Sequence, residues 1–222
     1  MRSSKTIAIH QPNYLPHLGY FEKMARSDIF VILDSVQYEK DSYTNRTLIK
    51  TPKGQEWLTL SIQNNFPQPI KDVKLANFRG DSVRHLKTIE MNYKKAKGFK
   101  TVFPIIQKLY EGNWQYLSQF NIHLIRNLAG ILKKEPKIER TSKYNFKKSS
   151  TELLIEICKK FGADTYLAGG GGKKYQDDEL FKGSGIKLEY LDYVQPESPQ
   201  LWGKFIKGLS IIDYLFNQNY GV

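Results

Sequence analysis

Near its start the chain has the sequence Ile7-Ala8-Ile9-His10-Gln11-Pro12-Asn13-Tyr14-Leu15-Pro16. Its apolar run, Ile7–His10, predicts a short buried β-strand. Neither proline can continue a helix interior or donate to a strand ladder, so the chain must leave this strand in a stiff turn. Chemistry in α/β proteins often lies where strands end, which makes the turn a candidate site. The alternative interpretation is a rigid connector whose polar groups bond to backbone.

A second apolar run, Asp28–Asp34, is rich in β-branched residues and bounded by aspartates, as expected for a strand buried on both faces of a sheet. The sequence after Asp34 predicts a β-hairpin, a long helical block in the middle of the chain, and further strands and helices. The predicted strands after the second run are Leu48–Lys50 and Gln55–Ile62 (the hairpin), Ile70–Leu75, Ile138–Thr141, Thr165–Ala168 and Ile186–Tyr193.

The helical pattern begins at Asp81, where Ser82 can cap the first helix, and continues with breaks to about Lys134. Because strands precede and follow this block, the sequence predicts an α/β fold. We expect a central, mostly parallel sheet with flanking helices, in one domain over residues 1–222. A helical subdomain is predicted around residues 81–134, inserted into the body that carries the sheet.

The chain has 222 residues and a formal net charge of +12, which favours anionic partners such as phosphorylated substrates, nucleic acid or anionic lipid. Its lysines are scattered, without an arginine-rich helix or zinc-finger spacing, which disfavours nucleic acid. No apolar run approaches the ~18 residues of a membrane span, and no signal-peptide core is visible. A single cysteine, Cys158, excludes an intrachain disulfide, so a cytoplasmic setting is expected. The oligomeric state is left open.

His10 and Asp34 are the candidate catalytic residues, since each ends a predicted buried strand. If the two strands are parallel neighbours, both side chains emerge at the same edge of the sheet. A carboxylate would raise the basicity of the imidazole and orient its ring, so that His10 could remove a proton from an attacking amine or hydroxyl. Asp34 could instead bind a sugar hydroxyl or a metal, or simply cap the next turn.

The remaining candidates are predicted to bind substrate. Arg46 offers a planar fork and Lys50 a point charge for phosphate, while amides and phenols suit sugar hydroxyls. A glycine run after a strand lets backbone N–H groups approach a ligand, although it lacks the spacing of a Walker loop and a flexible turn explains it nearly as well. The predicted substrate-binding residues are Gln11, Asn13, Tyr14, Gln37, Asn45, Arg46, Lys50, Gly170, Gly171, Tyr175, Gln200 and Asp213.

No metal site is predicted, because the histidines lack His-Glu-x-x-His spacing and there is no cysteine cluster. Cys158 lies on the apolar side of a predicted helix and is interpreted as a core residue. Asp213 has a second interpretation beside substrate binding, since it and Ser210 can cap and pack the last helix.

An ordered set of segments extends over nearly the whole length of the chain: the opening stretch continued by Leu18-Gly19-Tyr20-Phe21, then Asp28–Asp34, Val36-Gln37-Tyr38, Asn45-Arg46, Ile49–Gly54, Trp57–Thr59, Ala163–Leu167, Tyr175, Pro199-Gln200 and Leu209–Asn217. This set resembles the WbqC-like protein family. Three positions depart from the family pattern: His17 and Tyr43 stand where Trp is usual, and Ser35 stands where a second Asp is common, which weakens any mechanism with paired aspartates.

The resemblance implies a bacterial protein linked to O-antigen or similar surface polysaccharide synthesis, and a glycine or other aminoacyl transferase acting on an amino sugar. We therefore expect transfer of an acyl or aminoacyl group from an activated donor to a nucleotide-linked amino sugar, with no other cofactor identified. His10 would be the base, and Arg46, Lys50 and the glycine run would hold phosphate. The alternatives are a glycosyl- or nucleotidylyl-transferase and a non-catalytic protein that binds a nucleotide sugar.

Overall fold

The computed structural model describes residues 4–63, 65–133, 136–174 and 176–220. The chain divides into two units, each assembled from three separate segments. We call the first the sheet unit (Met1–Gln11, Tyr20–Ser35 and Ala129–Val194) and the second the hairpin unit (Pro12–Gly19, Val36–Leu128 and Gln195–Val222).

The described residues form seven strands and seven α-helices. The strands are β1 Thr6–His10, β2 Ile29–Ile32, β3 Arg46–Thr51, β4 Gly54–Thr59, β5 Lys137–Arg140, β6 Thr165–Ala168 and β7 Lys187–Tyr190. The helices are α1 Leu18–Ala25, α2 Phe78–Tyr93, α3 Phe99–Leu109, α4 Leu117–Ile131, α5 Ser150–Phe161, α6 Asp178–Gly183 and α7 Ile211–Asn217.

The sheet unit is built on five strands in the order β5-β2-β1-β6-β7, and every neighbouring pair is parallel. The predicted α/β class is therefore confirmed. All four residues of β2 and all of β6 are buried, which explains their nearly continuous apolar sequences. Helix α5 ends at Gly162 in the left-handed region (φ 64°), where a glycine carries no Cβ penalty.

The sheet has a topological switch point at its centre. From β1 the chain moves outward through β2 to β5, and it then returns to the other side of β1 to form β6 and β7. Numbered within the sheet, the order is 3-2-1-4-5, as in doubly wound nucleotide-binding folds. Ligands of such sheets bind outside the carboxyl ends of the two strands that flank the switch point, which here are β1 and β6.

The hairpin unit contains the antiparallel pair β3–β4, in register from Arg46–Thr59 to Thr51–Gly54. Its helix α2 begins three residues before the predicted start, because Asn77 rather than Ser82 is the cap: Asn77 Oδ1 accepts from Gly80 N at 3.1 Å. The Ser82 hydroxyl instead donates to the Phe78 carbonyl at 2.8 Å, so the predicted Ser82 cap is wrong.

The strand predicted over Ile70–Leu75 is also wrong. Residues Ile70–Asp72 form a single 3-10 turn, closed by Val73 N donating to Ile70 O at 3.3 Å. The apolar side chains that suggested a strand are buried by this turn and the extended residues after it. No helix in the described ranges is both long and apolar enough to cross a membrane.

Candidate functional site

The carboxyl edge of the parallel sheet collects polar residues from neighbouring strands. His10 ends β1 and pairs in register with Ile32 of β2, and Leu33 N donates to His10 O at 2.8 Å. β2 ends at Ile32 and Asp34 follows two residues later, so the strand that ends at His10 and the strand that precedes Asp34 are parallel neighbours. Arg140 ends β5, next to β2, at the same edge.

His10 has a defined hydrogen-bonding partner for one ring nitrogen. Its Nδ1 lies 3.1 Å from the carbonyl oxygen of Gln11, and a carbonyl can only accept, so Nδ1 carries the proton. The other nitrogen, Nε2, then holds the lone pair and is the basic atom of the neutral ring. The imidazole packs against the Tyr20 ring with 4.6 Å between centroids. A main-chain carbonyl thus holds Nδ1 of the ring, whereas the sequence suggested that Asp34 orients the ring and raises its basicity.

Asp34 is fully buried, and both of its carboxylate oxygens are occupied. Oδ2 accepts from Arg140 Nε at 2.9 Å, Arg140 Nη2 at 2.8 Å and Ser142 Oγ at 2.8 Å. Oδ1 accepts from Ser142 N at 2.9 Å and from Thr141 Oγ1 at 3.2 Å. Its predicted function of orienting His10 would require it to give up one of these donors. The carboxylate instead ties the end of β2 to the residues that follow β5.

Lys23 of α1 is a buried cation that sequence reasoning missed. Its Nζ donates to the Ile9 carbonyl at 2.7 Å and lies 5.9 Å from the centroid of the Tyr166 ring on β6. Only 3% of the residue is exposed, and this burial lowers the pKa of the amine to about 7. A signal was present, because Tyr20, Phe21 and Met24 place apolar residues on both sides of Lys23 in α1.

The glycine run after β6 lies at the carboxyl end of a strand that flanks the switch point. Gly170–Lys174 form a 3-10 turn, in which Gly170 and Gly171 are exposed. A Cβ added at either glycine would meet no atom within 4 Å, so both face open space. Tyr175 lies outside the described residues. The glycine segment thus has the accessible backbone that phosphate binding requires, on the side of β1 opposite β2.

Lys50, Gln200 and Asp213 form one hydrogen-bonded network in the hairpin unit. Lys50 is 1% exposed, and its Nζ donates to Gln200 Oε1 at 3.0 Å, Lys204 O at 2.6 Å and Gly203 O at 3.4 Å. Gln200 Nε2 donates to Asp213 Oδ1 at 2.8 Å. Burial lowers the pKa of Lys50, while the Asp213 carboxylate opposes that shift. A phosphate bound at Lys50 Nζ would have to displace these acceptors. We therefore interpret Lys50 as a structural residue whose hydrogen bonds connect residues 200–204 to β3.

Asp213 completes the network on its other oxygen. Tyr93 donates its hydroxyl proton to Oδ2 at 3.0 Å and accepts from Lys50 N at 2.8 Å. Burial raises the pKa of Asp213 to about 6, although the Tyr93 and Gln200 hydrogen bonds lower it. Asp213 is buried where α7 contacts β3, which agrees with the packing alternative. The capping alternative is wrong, because the Ser210 side chain makes no capping hydrogen bond to α7 and its hydroxyl donates to Leu15 O at 2.9 Å.

Three other predicted ligands lie inside the hairpin unit. Asn13 is buried, and Asn45 is held by Tyr38, whose hydroxyl donates to Asn45 Oδ1 at 2.7 Å. The Tyr14 hydroxyl is buried between His85 Nδ1, at 2.8 Å, and the Tyr110 hydroxyl. These contacts assign Tyr14 and Asn45 to the interior of the unit rather than to an open site.

Arg46 and Gln37 are closer to solvent. Arg46 donates from Nη1 to Asp41 Oδ1 at 3.1 Å, and its guanidinium lies 4.3 Å from the Trp57 ring centroid. Gln37 is exposed. Their predicted contacts with substrate stay predictions, as does a single pocket that joins them to His10.

The described ranges hold no group of three or more His, Cys, Asp or Glu side chains placed to bind a metal ion. Cys158 is buried, and burial raises the pKa of its thiol to about 12, which fits its interpretation as a core residue.

Gln11, which was also predicted to bind substrate, belongs to the sheet unit. Its main-chain carbonyl accepts hydrogen bonds from Tyr20 Oη at 3.2 Å and from His10 Nδ1 at 3.1 Å.

Comparison with known proteins gives a family and one curated relative. Residues 11–220 match the WbqC-like protein family. The uncharacterized protein Rv1507c of Mycobacterium tuberculosis is 32% identical over 217 residues, which cover 96% of this chain and 94% of that protein. No solved structure matches significantly. The match extends over both units, and the chain belongs to the WbqC-like protein family.

Proposed function

We propose that this protein transfers an acyl or aminoacyl group to the amine of a nucleotide-linked amino sugar in surface polysaccharide biosynthesis. The observation that carries the proposal is the placement of His10 and the glycine segment at the carboxyl ends of β1 and β6. These strands flank the switch point, where doubly wound sheets bind nucleotides. A base and a phosphate-binding backbone thus belong to the same region of one unit.

His10 supports the chemistry through its tautomer. With the proton held on Nδ1 by the Gln11 carbonyl, Nε2 is the ring atom with the lone pair that can accept a proton. As the sugar amine attacks the carbonyl carbon of the activated donor, a C–N bond forms and Nε2 takes the proton from nitrogen. The bond to the leaving group then breaks, the leaving group departs with the electron pair, and His10 returns the proton to it.

A sugar nucleotide substrate would account for the exposed main chain of the glycine segment. Gly170 and Gly171 expose main chain to open space, and the net charge of +12 favours a diphosphate. The donor class is an activated acyl or aminoacyl compound, such as a thioester or ester, because amide formation needs a leaving group better than hydroxide.

The test is to incubate the full-length protein with UDP- or dTDP-linked amino sugars and acyl or aminoacyl thioesters, and to detect the N-acylated sugar nucleotide by mass spectrometry. His10→Asn keeps an amide donor near the Gln11 carbonyl but lacks the Nε2 base, so its rate should fall at least about a hundredfold. His123→Asn is the matched control, because it is the same substitution at a histidine of α4 in the hairpin unit. Product formation unaffected by His10→Asn would refute the assigned base.

A nucleotidylyl- or glycosyl-transferase is the second candidate, because the 3-2-1-4-5 sheet positions a nucleotide equally well for attack at phosphorus or at the anomeric carbon. Release of pyrophosphate or of a nucleoside diphosphate from the same mixtures would identify that chemistry. Tight binding of the sugar nucleotide with no turnover of any donor would identify a binding protein.

A further inference from the structure

The two carbonyl groups that bracket His10 both accept hydrogen bonds from side chains of α1. Ile9 O accepts from Lys23 Nζ at 2.7 Å, and Gln11 O accepts from the Tyr20 hydroxyl at 3.2 Å. Gln11 O is also the acceptor for His10 Nδ1 at 3.1 Å. This carbonyl oxygen therefore accepts from both the His10 imidazole and the Tyr20 hydroxyl.

These contacts occur where strand pairing stops. The β1–β6 register runs from Thr6–Thr165 to Ala8–Leu167 and ends before Ile9. Beyond that point the end of β1 needs other donors, since buried carbonyl groups are normally satisfied. Lys23 and Tyr20, one helical turn apart on α1, supply them, so α1 replaces a strand neighbour at the switch point.

The tyrosine also contacts the imidazole directly. The His10 and Tyr20 rings have centroids 4.6 Å apart at an interplanar angle of 59°. Tyr20 is itself held in place, because it is 1% exposed and its ring centroid lies 5.2 Å from that of Phe30 on β2. The ring of His10 is therefore held by a rigid neighbour as well as through its own main chain.

A contribution to stability does not explain why Lys23 is buried. An ammonium buried to 3% exposure with a single carbonyl acceptor loses most of its hydration, and burial lowers its pKa to about 7. A methionine of similar length would fill the same space without that loss. An amine whose desolvation opposes folding at the end of the central strand is better explained by the carbonyl group that it holds in place.

We propose that Lys23 and Tyr20 are positioning residues for His10. By fixing the carbonyls of Ile9 and Gln11, they hold the end of β1 in the conformation that keeps the proton on Nδ1 and leaves Nε2 as the base. The catalytic consequence rests on the proposed acyl transfer, whereas the geometry can be measured without any substrate.

The structural test uses nitrogen-15-labelled histidine in the full-length protein. The ring nitrogen shifts report which nitrogen carries the proton, and His10→Asn identifies the His10 signals by removing them. In the wild type we expect the proton on Nδ1. In Lys23→Met and in Tyr20→Phe the His10 signals should move towards the average of two exchanging tautomers. Ser27→Ala is the control, because Ser27 is buried just after α1 but donates to Met24 O.

The kinetic test measures the acyl transfer proposed above. Misplacement of the base should lower kcat by about a hundredfold in Lys23→Met with little change in KM. Lys23→Arg keeps a donor for Ile9 O and should recover part of the rate. Tyr20→Phe keeps the ring but removes the hydroxyl, so it reports on the carbonyl contact even if Lys23→Met folds poorly.

Unchanged His10 signals in folded Lys23→Met and Tyr20→Phe would overturn the positioning inference, even if acyl transfer is found and depends on His10. Conversely, shifted His10 signals in a protein that acylates no amino sugar would support the positioning and refute the proposed function. The two proposals therefore fail separately.

Discussion

The guanidinium of Arg140 donates two hydrogen bonds to a single oxygen of Asp34, from Nε at 2.9 Å and from Nη2 at 2.8 Å. Asp34 is fully buried, whereas the Arg140 side chain is 26% exposed. Removal of the cation would leave a carboxylate buried without its charge partner. This pair joins the ends of β2 and β5, two neighbouring strands of the sheet.

The first prediction follows from this pair. Arg140→Met should lower the free energy of unfolding by about 3 kcal/mol, because breaking a buried pair leaves an uncompensated charge. Urea unfolding at pH 7 measures the change. Arg26→Met is the matched control, since Arg26 pairs with Glu22 at a more exposed site and its loss should cost less than about 1 kcal/mol. Equal effects of the two substitutions would contradict this account.

The second prediction concerns Lys23 and pH. Burial lowers the pKa of its amine to about 7, against about 10.4 in the unfolded chain. Between these values the unfolded state binds a proton that the native state lacks, so stability rises with pH across this window by up to about 1.4 kcal/mol per unit. This contribution of Lys23 to the free energy of unfolding is complete above about pH 10.4, decreases as the pH falls and is lost below about pH 7. Lys23→Met should flatten the dependence measured by urea unfolding from pH 6 to 10; an unchanged slope would show that Lys23 is solvated.

The third prediction concerns His85 in the hairpin unit. Its Nε2 donates to Thr59 O at 3.0 Å, so Nδ1 accepts from the Tyr14 hydroxyl at 2.8 Å. Burial lowers the pKa of His85 to about 4. As pH falls from 6.5 to 4 the unfolded chain binds a proton that the native ring does not, which should remove up to about 3 kcal/mol of stability. His85→Gln should show a smaller loss between pH 7 and 4; a loss equal to that of the wild type would contradict the lowered pKa of His85.

The fourth prediction separates Lys50 from its neighbour in the hairpin turn. Lys50→Met should lower the free energy of unfolding by about 2 kcal/mol, because Gln200, Gly203 and Lys204 lose a charged donor. Faster hydrogen exchange at the Ile206 amide, which donates to Gln200 Oε1 at 2.9 Å, should accompany it. Lys53→Met, at an exposed position in the turn, should change neither quantity. Identical behaviour of the two variants would refute the network.

The strands of the sheet could be predicted from sequence because their burial is local and continuous. The prediction Ile7–His10 lies within β1 and Asp28–Asp34 contains β2, and parallel pairing places the carboxyl ends of both strands at one edge. The strand predicted over Ile70–Leu75 was wrong because its apolar side chains are buried by a turn as well as they would be by a strand. The prediction that Ser82 caps the helix was wrong because Asn77, four residues before the predicted start at Asp81, caps α2 instead.

The hydrogen-bond partners of the buried polar side chains could not be predicted from the sequence. Asp34 and Lys50 have the residue types of a binding site, but the partners that occupy them, Arg140 and Gln200, lie more than a hundred residues away. Lys23 was not predicted at all: a lysine on a helix is normally expected in solvent, and its apolar neighbours in α1 did not reveal the carbonyl acceptor at the end of β1. Both cases depend on tertiary contacts that hydrophobic periodicity does not encode.

The central claim is that a nucleotide-linked amino sugar binds at the carboxyl edge of the sheet unit, beside the glycine segment. Gly171 and Gly183 are both exposed, and a Cβ at either would meet no atom within 4 Å, so tryptophan can be placed at each without a clash at Cβ. Calorimetric titration with a UDP- or dTDP-linked amino sugar should show binding to the wild type and to Gly183→Trp, and at least about tenfold weaker binding to Gly171→Trp. Equal affinity for all three proteins, or no binding to the wild type, would contradict the claim.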